Sequence, residues 1–128
     1  MFGESLAVRR DAPIGSVADL AGRQIGAIAG STNMALVRTW PGAIPVAFDG
    51  EGDDVFGQMK EATTSGAIDG FVDDAPAFVD LGPDDPLRVA LSVATDQRWG
   101  CAMAPGADVL GAAVDDAIRA CAADGTLA

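Results

Sequence analysis

The chain contains no histidine and no tyrosine, and aromatic residues make up only 5% of it. Without histidine there is no Ser–His or Cys–His pair to activate a nucleophile. Zinc sites lose their commonest nitrogen donor, so neither metal nor cofactor is expected. Cysteine is scarce: Cys101 and Cys121 form no CxxC pair. They read as buried free thiols, one in a strand and one in a helix. Basic residues are also few, eight Lys and Arg against nineteen Asp and Glu, for a net charge of −11. That balance opposes nucleic acid, whose binding rests on neutralising phosphates, and anionic membrane surfaces. The surplus acid serves solubility or sets up a field that attracts cations. No apolar run approaches the length of a membrane span, so no membrane insertion is expected. Residues Met1 to Ser5 lack the basic head and apolar middle of a secretory signal.

What is present is a chain of 128 residues, half of them hydrophobic and rich in Ala and Gly, enough for one domain with a core. Its organising stretch is Gly66–Pro76. Ile68 to Val72 is a short apolar run between turn residues and reads as a buried strand. Asp73, Asp74, Ala75 and Pro76 follow. Pro suits the first turn of a helix, so the two acids sit where a strand leaves the sheet, the place where open α/β sheets bind ligands. Strand side chains alternate sides, so at most one acid faces a crevice. Both also suit a helix start, where the dipole favours negative charge.

A second site of the same kind lies upstream. Arg23 to Ala29 reads as a strand, with Gly26 suggesting close approach of another backbone. Gly30, Ser31 and Thr32 follow, then a helical pattern from Met34 to Trp40. Backbone N–H groups and hydroxyls at a helix start seat an anion such as a carboxylate. The same residues serve plain N-capping.

The remaining elements complete an α/β pattern. Ser5 to Arg9 is a strand candidate, and Ser16 caps a turn over Val17 to Ala21. Ile44 to Phe48 is a strand that Pro45 consigns to an edge. The acidic loop Asp49 to Asp54 reads as solvated surface. A helix spans about Asp53 to Ser65, and a short one Ala75 to Leu81, with Phe78 and Val79 facing in. Leu87 to Val93 and Arg98 to Ala104 read as strands, and Asp108 to Ala123 as a strongly apolar helix stopped by Gly125. Alternating strands and helices from residue 23 to 93 predict a mostly parallel sheet flanked by helices.

An anion seat at Gly30–Thr32 and an acceptor at Asp74 together fit a ligand carrying a carboxylate and an ammonium on one carbon. Here the chain resembles the bacterial extracellular solute-binding proteins of family 3, which serve amino-acid ABC transporters. Ile14–Gly26 is similar to that family's "sxaDLkGkxVgv" segment, Gly30-Ser31-Thr32 to its glycine–hydroxyl turn, and Gly66–Gly70 to "GrvDa". Asp74-Ala75-Pro76 resembles the acid that ends the next strand. Gly100–Pro105 resembles "yGiavrk", and Ala122–Leu127 resembles "kadGtl".

The resemblance implies a type II periplasmic-binding-protein-like lobe, about residues 4–104, with a C-terminal helix over about 105–128. It implies that Ser31 and Thr32 hold a ligand carboxylate and Asp74 its ammonium. By the same resemblance the family's first lobe, with the arginine that clamps the carboxylate, would lie ahead of residue 1, and a final "kW" segment would follow Leu127. The expected role is binding a small amino acid or related zwitterion for ABC-type transport or sensing. Members of the family are periplasmic or extracellular.

Three other readings stand beside it. One is an interaction module that keeps only the fold and forms a homodimer through the apolar C-terminal helix, which needs cover from water. Another is a cyclohexadienyl-dehydratase-like enzyme, disfavoured because no catalytic pair stands out. The last is a regulator's effector domain, which would normally carry a DNA-binding segment not seen here.

Overall fold

The computed structural model describes residues 2–127. It falls into two units, Met1–Arg98 and Trp99–Ala128. The first holds β1 (Phe2–Arg9), β2 (Gln24–Ile28), α1 (Thr32–Thr39), β3 (Ile44–Phe48), α2 (Val55–Ser65), β4 (Gly70–Asp74) and β5 (Leu87–Gln97). Two 3-10 turns, Val17–Leu20 and Ala75–Phe78, link them. The second holds α3 (Asp108–Asp124).

The five strands form one sheet in the order β3-β2-β4-β1-β5. β2 runs parallel to β3 and β4, while β1 is antiparallel to both β4 and β5. Four strands therefore point one way, as the alternating pattern predicts, and β1 runs against them inside the sheet. The fold is a single open mixed sheet flanked by helices. β3 lies at an edge, where the missing N–H of Pro45 costs least.

The alternation of side chains divides the core into two layers. Leu6, Val8 and Val72 pack with Met34 and Val37 of α1 on one face. Ala7 and Phe71 pack with Met59 and Phe78 on the other. There the rings of Phe56 and Phe71 meet edge to face at 5.4 Å, and Phe71 meets Phe78 at 5.4 Å. Each fully buried side chain of this size contributes roughly 1.5–3 kcal/mol. β1 and β4 approach so closely that a Cβ at Gly70 would stand 2.7 Å from the Ala7 carbonyl oxygen. Arg10 and Arg88 spend their guanidinium donors on backbone carbonyls, Arg10 on Gly82, Asp85 and Leu87, Arg88 on Arg10, Ala12 and Ile14.

Several expectations are corrected. Residues 98–104 form no strand; an apolar extended run is a strand only where a partner supplies hydrogen bonds. Val79 is 79% exposed, because the short helix ends as a 3-10 turn after Phe78 and turns the next residue outward. A Cβ at Gly26 would meet the Ile68 and Phe48 side chains at 2.9 Å, so side chains rather than a backbone require that glycine. Cys101 is exposed and Cys121 half-buried, both free; Cys101 lies in the same unpaired stretch. α3 closes on Gly125 in the left-handed conformation (φ 85°) and has no buried residue. Among the described residues no helix is long and apolar enough to cross a membrane.

Candidate ligand site

The topology brings three chain segments to one end of the first unit. β2 lies beside β4 and parallel to it, so the turn after β2 and the end of β4 emerge on the same side. β1 is antiparallel to β4, so its start lies there too, with Glu4 opposite Asp74 in the ladder. Opposite residues on neighbouring antiparallel strands share a face, their Cβ atoms about 4.5–5.5 Å apart. Glu4 and Asp74 therefore stand side by side on the α1 face.

Each predicted residue has a defined place. Gly30 takes a left-handed turn (φ 74°) that lifts the chain off β2. Ser31 is the N-cap of α1: its hydroxyl accepts the Met34 N–H at 3.1 Å and donates to the Ile28 carbonyl at 2.7 Å. Its one hydrogen is thus spent within the turn. Thr32 opens α1 and is exposed; its hydroxyl lies near enough to the Glu4 carboxyl to favour its charged form. Both Asp73 and Asp74 belong to β4 rather than following it. Asp74 makes no side-chain cap to the turn it precedes. Instead its Oδ1 accepts from Asn33 Nδ2, on α1, at 3.2 Å. Asp73 points to the opposite face and accepts the Asp74 N–H at 2.7 Å. The alternation argument separates the pair as expected.

Two residues of the cluster escape a reading of motifs. Asn33 is buried at 6% exposure and Glu4 at 2%. Glu4 Oε1 has no hydrogen-bond partner. Burial pushes the Glu4 carboxyl above the ordinary glutamate range; the Thr32 hydroxyl opposes that, and the neighbouring Asp74 charge adds to it. Burial likewise raises Asp73, against its bond from the Asp74 N–H, with the Asp74 charge adding to the rise. The signal for Glu4 was its parity: residues 4, 6 and 8 share one face of β1, and Leu6 and Val8 are core. An acid in that row is buried polar surface, which is informative wherever it occurs.

The two acids lie at the start of α1, whose unpaired N–H groups favour negative charge. The arrangement offers carboxylate acceptors and one amide, with backbone donors of the first helical turn beside them. It suits an ammonium flanked by an anion. Among the described residues no cluster of three or more Cys, Asp or Glu has the form of a metal site.

No protein-family profile and no curated protein matches the chain. Solved structures do. An ancestral arginine-binding protein bound to arginine is 25% identical with a TM-score of 0.73, covering 98% of this chain and 56% of its own. An amino acid ABC transporter substrate-binding protein from Streptococcus pneumoniae, bound to L-arginine, is 24% identical with a TM-score of 0.76, covering 97% and 53%. Domain 2 of the T. maritima arginine-binding protein is 24% identical with a TM-score of 0.56, covering 69% of this chain and 94% of that domain. The chain spans little more than half the length of the whole binding proteins it matches. The sheet order, the flanking helices and these likenesses agree: the chain carries the fold of one lobe of the amino-acid-type solute-binding proteins.

Proposed function

We propose that this chain is a solute-binding lobe that takes an amino acid or a related amine-bearing ligand at the start of α1, in the service of ABC-type transport or sensing. The observation that carries the reading is the Asn33–Asp74 hydrogen bond. It draws together the two end-of-strand features that the sequence offers separately. Asp74 takes the ligand ammonium, and the first-turn N–H groups at Thr32 and Asn33 face its carboxylate. The Ser31 hydroxyl shapes that turn through its bond to Ile28. The ancestral protein similar to this chain has been solved with arginine and with glutamine, which supports an amino-acid ligand. The role is binding rather than catalysis, in keeping with the binding proteins it is similar to.

Thermal unfolding against a panel of amino acids tests it. A ligand at 100 times its Kd stabilises by about 2.7 kcal/mol, a rise of several degrees in Tm at this size. A shift for at least one amino acid that vanishes in Asp74→Ala is expected. No shift with any member of the panel would overturn the reading.

A second reading concerns α3 by itself. None of its residues is buried, and Leu110 and Ile118, eight positions apart and so on one side of the helix, are 57% and 43% exposed. We propose that this apolar side meets a second copy of the chain, giving a homodimer. Light scattering checks it: a dimer mass that falls to the monomer in Leu110→Asp is expected, and a monomer at every concentration would sink it.

A further inference from the structure

Glu4 has a place that folding alone does not require. It occupies a core-facing position of β1, is 2% exposed, and leaves Oε1 as the one buried side-chain polar atom without a partner among the described residues. An unmet buried acceptor is destabilising, and more so when it carries charge. An apolar side chain in line with Leu6 and Val8 would fill the position without that cost. The ion pairs found among the described residues involve Arg9, Arg23, Lys60 and Arg119, and none reaches Glu4. Its neighbours are Asp74 from β4, Val93 from β5 and Thr32 from α1, where Asn33 also holds Asp74. None of these described neighbours brings a cationic side chain.

The donor inventory points the same way. The Ser31 hydrogen is committed to Ile28, and the Thr32 hydroxyl lies near the Glu4 carboxyl. Among the described residues the side chains at this spot thus present two carboxylates and no cationic group for an anion. A primary ammonium brings three donors and one positive charge; a carboxylate brings neither.

Resting on the amino-acid-binding reading above, we propose that Glu4 is a second ligand acid, seating the ligand's cationic group together with Asp74, so that the preferred ligand is a cationic amino acid or amine of net positive charge. Oε1, which has no partner, takes one ammonium hydrogen, and Asp74 takes another. The second acid then acts as a charge filter: a ligand whose own carboxylate cancels its ammonium gains less from the pair than one with a positive charge to spare.

The test is calorimetric titration of the 128-residue chain with three probes: L-lysine, agmatine (which has no carboxylate) and L-glutamine. L-Lysine and agmatine are expected to bind at least about tenfold more tightly than L-glutamine. Glu4→Gln should weaken the cationic probes about tenfold, and L-glutamine by less, so that the preference narrows; Asp74→Asn should weaken all three. If L-glutamine binds as well as L-lysine and Glu4→Gln changes nothing, the second acid is overturned and the amino-acid reading stands. If no probe binds, both fall. Should Glu4→Gln fail to fold, NMR of the wild-type Glu4 carboxyl carbon decides. A shift on adding L-lysine, larger than with L-glutamine at equal saturation, supports the assignment, and a signal that L-lysine leaves unmoved overturns it.

Discussion

The two faces of the sheet at the end of β4 carry adjacent acids with different surroundings. On the α1 face Asp74 meets an amide, a second carboxyl and the start of a helix. On the other face Asp73 lies opposite Ser5, whose hydroxyl bonds Ser92 at 2.8 Å, and its layer is built on the aromatic group of Phe56, Phe71 and Phe78. Both faces carry core, but one sets two acids beside a helix start and the other sets its acid over an aromatic cluster. Neighbouring positions in a sequence are divided by the pleat, and the layer each one enters decides what its acid is for.

The comparison can be broken most forcefully at Phe71. Phe71→Ala should cost about 3–5 kcal/mol, because its fully buried ring touches both other rings; denaturant unfolding measures it. A loss below about 1 kcal/mol would mean that the aromatic cluster does not anchor this layer. Next in size is the contrast between the acids. Asp74→Ala should abolish a ligand-induced Tm rise worth about 2.7 kcal/mol at 100 times Kd, whereas Asp73→Ala should keep it. Equal loss in both variants would erase the distinction between the faces.

A smaller effect comes from pH. The Glu4 carboxyl binds its proton more tightly folded than unfolded, through burial. Below the ordinary glutamate pKa both states hold that proton and nothing is lost. As pH rises, the unfolded chain releases it first, so stability falls until the folded carboxyl ionises as well, and levels off above. Asp73 adds a decline of the same sign. Glu4→Gln removes the share due to Glu4, so in the absence of ligand the variant should gain on the wild type as pH rises from about 4 to 7. Melting curves across that range show whether the two lines diverge in that sense. The smallest effect is expected at Ser92→Ala, about 1 kcal/mol or less, from the lost partner of the buried Ser5 hydroxyl.

Much of this arrangement is legible in the sequence where local chemistry forces the outcome. Pro45 marks an edge strand, Gly30 a left-handed turn, Gly66 and Gly125 the ends of helices. Asp74 is marked by a strand that runs into Ala-Pro. Glu4 is not legible in that way. With β1 begun at Ser5 it falls outside the element, and nothing local says that β1 enters the sheet against its neighbours. That direction is a property of the whole sheet, and it alone puts residue 4 beside residue 74. The stretch 98–104 fails for the converse reason: its composition suits a strand, but composition supplies no partner.

Gly70 acts on the acids from a distance. It pairs with Val8, four positions along the ladder that ends in Glu4 and Asp74, or about 13 Å away. With no side chain it lets the Ala7 carbonyl come within 2.7 Å of where a Cβ would be. The glycine is a spacer of zero thickness, and the gap between the two carboxylates is gauged from it. Gly70→Ala would wedge β1 from β4 and shift the spacing of two carboxylates at the far end of the ladder, without altering any residue that bears charge.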